Sequence, residues 1–134
     1  MNGIAIRRAD DTDLASVMDL LRPAMEARQI LRRSEAEVRE LLQHAFIADE
    51  GGRVCGFAAV EVYSAKLAEL QCLVVAASHQ QRGIGCRLIE ACVKLARELG
   101  VRELMAITAS ESLFERCGFH YSLPGQKKAL FITP

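Results

Sequence analysis

The sequence predicts a mixed α/β fold: a central, mostly antiparallel sheet flanked by helices. Three observations predict it. Short segments alternate apolar and polar residues with the period of a strand. Between them lie segments whose apolar residues recur at helical spacing. From Ala68 to Thr108 a strand, a loop, a helix and a second strand follow one another, which is a βαβ unit with parallel strands and a right-handed crossover.

Taken in order, Ile4 to Arg8 alternates and forms a first strand. Asp10, Asp11 and Thr12 offer caps for a helix carrying Leu14, Val17, Met18 and Leu21, and Pro23 is expected to end or kink it. Ser34 with Glu37 makes a capping box, opening a second helix whose apolar face is Val38, Leu41 and Leu42. Ala45 to Ala48 and Arg53 to Tyr63 flank the turn signal Gly51-Gly52, giving a hairpin. Ala68 to Val75 is the next strand. A helix from about Ile84 to Leu99 turns Leu88, Ile89, Cys92, Leu95, Ala96 and Leu99 inward and closes at Gly100. Val101 to Thr108 is a further strand and Glu111 to Arg116 a short helix, and Phe119–Tyr121 and Ala129–Thr133 are expected as the last strands.

The chain has 134 residues, enough for one core, and no linker or repeat divides it, so residues 1–134 are expected to form one domain. Lys plus Arg equals Asp plus Glu and aromatic residues make up 5%, which leaves no basic, aromatic-rich surface for nucleic acid. No apolar run approaches the roughly 18 residues of a spanning helix, and Met1 to Arg8 lacks the apolar core of a signal peptide, so no membrane partner is expected. The five cysteines are odd in number and form no Cys-x-x-Cys pair. That argues against a disulfide framework and a zinc site, and for reduced thiols in the cytoplasm, most of them acting as small buried hydrophobes. Three scattered histidines offer no metal site.

The densest signal runs from Leu73 to Gly85. A strand enters a glycine-containing turn and a helix begins there. Helix N-termini present free backbone N–H groups and partial positive charge, so they bind phosphate without a basic side chain. Gly83 and Gly85 lack Cβ atoms where a ligand would approach the backbone. A P-loop is excluded because Gly85 is followed by Cys86 and Arg87, and a dinucleotide fingerprint because Leu88 stands where its third glycine belongs. On the glycines alone, a turn that merely joins strand to helix remains an equal alternative.

A substrate nucleophile that arrives protonated must lose a proton before it attacks, and a carboxylate can take it. Glu69 is the best candidate, since it sits in an apolar strand beside Leu70, Cys72 and Leu73, where burial raises a carboxyl's pKa. The plain alternative is a rim carboxylate paired with Arg or Lys across the sheet. Cys72, three residues on, is not expected to act as a nucleophile, because nothing around it activates a thiolate. Arg32 and Arg33 precede the capping-box helix and could hold a carboxylate bidentately; two solvated loop charges are the equal alternative.

Gln80-x-x-Gly83-x-Gly85 preceded by Leu73-x-Val75, together with Phe114-Glu115-Arg116-Cys117-Gly118-Phe119, resembles the acetyl-CoA signature of the GNAT N-acetyltransferase superfamily, and the resemblance spans essentially the whole chain. It implies the GNAT fold and transfer of an acetyl group from acetyl-CoA to an amine by direct attack. It also implies a cofactor site formed by Leu73, Val74, Val75, Gln80, Gln81, Arg82, Gly83, Ile84, Gly85, Cys86 and Phe114. Backbone N–H groups from Gln81 to Cys86 would cradle the pyrophosphate, and Leu73 and Val75 would pair with the pantetheine arm like an added strand. The strands after Ala68 and Val101 would splay to admit it. Many members carry a Tyr acid where this chain has Phe114. A thiol's pKa lies near enough to neutrality for the sulfur to leave unassisted.

Arg22-Pro23, Ile30-Leu31-Arg32-Arg33-Ser34, Ala68-Glu69-Leu70-Gln71-Cys72 and Leu123-Pro124-x-x-Lys127-x-x-Leu130-Phe131 resemble the transferase domain of the N-acetylglutamate synthases, which shares the lack of Tyr at Phe114. This resemblance implies Glu69 and Cys72 at the amine, Arg32 or Arg33 on a substrate carboxylate, and a hydroxyl at Thr108 or Ser110 assisting proton delivery. Two departures accompany it. The chain stops at Thr133-Pro134, short of an Arg- and Ser-bearing segment, and no amino-acid-kinase domain precedes it. The acceptor is therefore expected to be a small amine, an amino acid such as glutamate first. Protein N-terminal or lysine acetylation and a non-catalytic acyl-CoA-binding module are the alternatives. A homodimer formed through exposed strands is open to such a domain.

Overall fold

The computed structural model describes residues 3–121, 130 and 132–134. A five-stranded sheet forms in the order β1 (Ile4–Arg8), β2 (Ala45–Glu50), β3 (Arg53–Val62), β4 (Leu67–Val75) and β5 (Glu103–Met105). The first four strands pair antiparallel, and β4 and β5 pair parallel through Leu67↔Glu103, Ala68↔Leu104 and Glu69↔Met105. The parallel pair needs a crossover, which is supplied by α3 (Ile84–Glu98). The remaining helices are α1 (Leu14–Glu26), α2 (Glu35–Leu41) and α4 (Glu111–Arg116).

The sheet separates two apolar layers, as burial of one stripe per helix requires. On one face Val17, Leu21, Val38, Leu41 and Leu42 of α1, α2 and the turn after α2 pack on Ala45, Ile47, Phe57 and Ala59. On the other, Ile84, Leu88, Ile89, Cys92 and Leu95 of α3, with Phe114 of α4, cover Cys55, Ala58, Val60, Ala68 and Leu70. The close seating of α3 depends on Gly56, where a Cβ would lie 3.0 Å from both Ala48 Cβ and Leu88 Cδ1. At the sheet's edge Arg7 bridges Asp13 (2.8 Å) and Asp49 (2.9 Å), tying the entry to α1 to strands β1 and β2.

Several expectations change. Asp10 caps a short 3₁₀ turn, Asp11–Asp13, that leads into α1, and α1 continues past Pro23 to Glu26. A proline removes one interior donor, and tertiary packing of Leu21, Ala24 and Met25 outweighs that loss here. Leu99 is the C-cap of α3 and lies 43% exposed rather than inward. The strand expected over Val101–Thr108 is confined to Glu103–Met105. Phe119–Tyr121 forms no strand: Phe119 packs its ring edge-on to Phe114 at 5.1 Å, and Tyr121 Oη donates to Glu111. Of Ala129–Thr133, residues 129 and 131 lie outside the described residues, as does the Leu123-Pro124-x-x-Lys127 motif, while Leu130, Ile132 and Thr133 are in no strand.

Candidate active site

β4 keeps β5 as a partner only as far as Glu69, so from Leu70 to Val75 its far edge has no strand beside it among the described residues. Ala76 N–H donates to Cys55 C=O on the β3 side at 2.8 Å. Since backbone groups alternate along a strand, those of Val75 and Leu73 point toward the open edge. Pairing between β4 and β5 thus ends at Glu69 and Met105, in the region where the two strands are expected to splay.

Within this stretch β4 carries a bulge. Ala59 pairs with Gln71 and Phe57 with Val74, leaving Cys72 and Leu73 opposite Ala58 alone. Cys72 takes φ +57°, the left-handed region, at a cost of about 1 kcal/mol for a residue with a Cβ. The bulge shifts the phase of the strand. Ala68 and Leu70 face α3, and uninterrupted alternation would put Cys72 with them. Instead Cys72 is buried with the α1–α2 layer, while Leu73 and Val75 return to the α3 side.

That reorientation puts Cys72 beside Arg33, which lies between α1 and α2. Burial pushes the Cys72 thiol up, and the Arg33 guanidinium opposes the shift without overcoming it. A thiol in this state lines a site and does not act as a nucleophile. Arg33 is half-buried, and its Nε is enclosed without an acceptor. Arg32 is exposed. Of the two adjacent arginines, Arg33 is thus the one turned toward Cys72.

Glu69 lies in a polar cluster rather than an apolar pocket. Tyr63 Oη donates to Glu69 Oε1 at 2.5 Å, and Gln71 Nε2 donates to Glu61 Oε1 at 2.6 Å and to Glu69 Oε1 at 3.2 Å. Carboxylates only accept, so these contacts fix which end of the Gln71 amide is nitrogen. The Glu69 carboxylate pushes the Tyr63 hydroxyl up to about 12, so Tyr63 remains a donor. Sequence reasoning passed over Tyr63 because it stands outside the motif; it follows β3 directly, its N–H donating to Leu67 C=O, two residues beyond Glu61, the cross-strand partner of Glu69. Ser110 is exposed at the start of α4, its N–H donating to Thr108 Oγ1 at 2.8 Å, and it makes no hydrogen bond to Glu69 or Cys72.

Beyond β4, a 3₁₀ turn (Ala77–His79) leads into the loop before α3. Gly83 is the N-cap of α3, at φ +77°, and Gln81 also has positive φ, +63°. Ser34 and Glu37 cap α2 reciprocally, but α3 has no side-chain cap, and the amides of Gln81 to Cys86 find no acceptor in the protein among the described residues. These are the unsatisfied donors and positive dipole end that an anion needs. A Cβ on Gly83 would meet nothing within 4 Å, whereas one on Gly85 would touch Leu113 Cδ2 at 3.4 Å. Gly83 therefore borders open space, and Gly85 lies against α4. Ile84 and Phe114 are core residues, 1% and 5% exposed, and Val74 pairs with Phe57.

The loop is braced in ways that sequence reasoning did not find. Gln80 Nε2 reaches back to Val75 C=O at 3.3 Å. Buried His79 joins Glu50 at 2.8 Å, and Arg82 approaches the same carboxylate at 3.6 Å. The hydrogen bond from His79 holds the Glu50 carboxyl below its ordinary range. These partners stand 29 residues apart, at the β2–β3 turn and the α3 loop, so no local signal connects them. Among the described residues no cluster of three or more His, Cys, Asp or Glu could hold a metal, and no helix is long and apolar enough to cross a membrane.

Residues 14–119 match the model of the Acetyltransferase (GNAT) family. An uncharacterised N-acetyltransferase of Chlorobaculum tepidum is 34% identical over 90 residues, covering 67% of this chain and 58% of that protein. An amino-acid acetyltransferase of Vibrio cholerae is 29% identical over 132 residues, covering 94% of this chain and 30% of that one. The crystal structure of N-acetylglutamate synthase from Neisseria gonorrhoeae, complexed with coenzyme A and N-acetylglutamate, superposes with a TM-score of 0.78 at 29% identity, over 84% of this chain and 27% of that one. The chain thus spans less than two thirds of the length of each of these proteins.

Proposed function

The chain belongs to the acetyltransferase (GNAT) family, and from that premise we propose that residues 1–134 act as one unit moving an acetyl group from acetyl-CoA to the amine of a small carboxylated molecule, an amino acid such as glutamate being the first candidate. The observation that carries this reading is the juxtaposition of the uncapped amides of Gln81–Cys86 with the open edge of β4. The amides suit a diphosphate and the edge suits an extended, amide-bearing arm, so these residues fit acetyl-CoA. Bound there, acetyl-CoA supplies an activated acyl group.

The chain's own groups account for the rest. Leu73 and Val75 offer backbone donors and acceptors along the open edge. Arg33, with its enclosed and unpaired Nε, meets the acceptor's carboxylate. Glu69 takes the proton that the acceptor's ammonium must lose before its nitrogen attacks; the new C–N bond forms as the C–S bond breaks. Cys72 shapes the wall beside the acyl group. Phe114 is buried and offers no proton, so the sulfur leaves as a thiolate that takes its proton from solvent.

The amino-acid acetyltransferase name of the Vibrio cholerae relative and the N-acetylglutamate in the Neisseria gonorrhoeae complex support an amino-acid acceptor. Mixing the protein with acetyl-CoA and a panel of amino acids, and trapping released thiol, tests the proposal. Release with glutamate or a close relative is expected. Tight acetyl-CoA binding with no release on any amine would replace it with a non-catalytic acyl-CoA-binding role, and release only on peptides would replace it with protein acetylation.

A further inference from the structure

Cys86 and Cys117 stand 31 residues apart in sequence, yet their sulfurs lie 2.8 Å apart. Cys86 is in the first turn of α3 and Cys117 is the C-cap of α4. The same two helices touch again where Gly85 faces Leu113. We propose that Cys86 and Cys117 are a redox-active dithiol that closes to a disulfide when it meets a low-molecular-weight disulfide, and that the closed form hinders acyl-CoA binding.

A covalent S–S bond is about 2.0 Å long, so closure requires a sulfur displacement of only about 1 Å. The other three cysteines differ in setting. Cys55, Cys72 and Cys92 are buried, and Cys55 donates to Ala48 C=O, whereas Cys86 and Cys117 are half-exposed and open to a dissolved reagent. Burial, reinforced by Cys86, pushes the Cys117 thiol up to about 12, so it keeps its proton and acts second. The exchange then runs in order. Cys86 Sγ gives its proton to solvent and attacks one sulfur of the reagent RSSR, forming a mixed disulfide and expelling RS⁻, which takes a proton back from solvent. Cys117 Sγ gives its proton to the departing thiolate and displaces the second sulfur. Two protein thiols and one RSSR become one protein disulfide and two RSH, so electrons and protons balance.

The effect on binding rests on the acyl-CoA site proposed above. α3 follows β4 and α4 follows β5, so the two helices carry the two sides of the strand gap. A covalent link between them fixes the spacing at the mouth of that gap and stiffens the turn whose amides include that of Cys86.

The test treats the protein with oxidised glutathione, then with dithiothreitol. It follows intact mass, disulfide-linked peptides and the dissociation constant for acetyl-CoA by calorimetry. A loss of two hydrogens, a linked Cys86–Cys117 peptide and at least tenfold weaker acetyl-CoA binding, all reversed by dithiothreitol, is the expected result. Cys117→Ser should yield no internal disulfide and show no loss of two hydrogens. Stable glutathione adducts without the internal link, or a link to Cys72, would overturn the dithiol assignment. A linked peptide with unchanged affinity would overturn the effect on binding. A linked peptide from a protein that binds no acetyl-CoA even when reduced would uphold the dithiol while removing the proposed acyl-CoA site.

Discussion

Replacing Gly83 by valine should separate the two things that residue does. It sits at φ +77° and ψ 9° as the N-cap of α3, and a Cβ there would meet no protein atom within 4 Å. The Cβ of the new side chain therefore meets no clash in the free protein, and the cost of the substitution there is backbone strain. That strain is about 1–2 kcal/mol, at the upper end for a β-branched side chain. For a chain of this length it lowers the melting temperature by roughly 3–6 °C. The effect on the ligand is different in kind, because the isopropyl group enters the space in front of the Gln81–Cys86 amides. Losing two charge-assisted hydrogen bonds costs about 3 kcal/mol or more, roughly a hundredfold in dissociation constant. Gly83→Ala carries most of the strain but little of the bulk, so it should destabilise nearly as much while weakening binding far less. Calorimetric titration of acetyl-CoA into both variants, with folding checked by circular dichroism, provides the measurement. A folded Gly83→Val protein with native affinity would refute the placement of the diphosphate.

Glu69→Gln keeps the shape and the contacts to Tyr63 and Gln71 but cannot accept a proton; turnover at neutral pH should fall about a hundredfold or more, and an unchanged rate would remove Glu69 from the chemistry. Arg33→Met should raise KM for a carboxylated amine about 10- to 100-fold while leaving acetyl-CoA affinity alone, and a steady-state comparison with the decarboxylated amine should show no such rise. Arg7 holds the carboxyls of Asp13 and Asp49 below their ordinary 3.8 by hydrogen bonding, so the unfolded chain takes up those protons first. This contribution is complete at neutral pH and is lost as pH falls below about 4 through the folded-state values. With the guanidinium side chain 37% exposed and partly screened, Arg7→Met should cost about 1–2 kcal/mol at pH 7 and flatten the acid limb of stability against pH, read from urea melts between pH 7 and 3.

Local patterns made most of the architecture legible. Period-two alternation placed Ile4–Arg8 and the hairpin around Gly51-Gly52, Ser34 and Glu37 marked the start of α2, and the apolar stripe of α3 appeared in full except at Leu99. What stayed hidden depends on tertiary contact. Nothing local marks Cys72 for positive φ, since non-glycine residues adopt it only when the surrounding sheet over-determines them. The bulge is nonetheless what turns Cys72 toward Arg33. The brace of His79 on Glu50 and the convergence of Tyr63 and Gln71 on Glu69 likewise depend on strand register. The alternative that Glu69 pairs with a basic residue across the sheet is not what is seen: its neighbours there are Glu61 and Met105.

The kink at Cys72 also bears on how the molecule behaves among its own copies. A strand flank with spare donors and acceptors templates stacking by any straight, extended chain, which is the first step toward fibrils. A residue in the left-handed region breaks the flat geometry such stacking needs, halfway along the vulnerable flank from Leu70 to Val75. Straightening β4 by deleting the extra residue would therefore trade colloidal solubility for regularity.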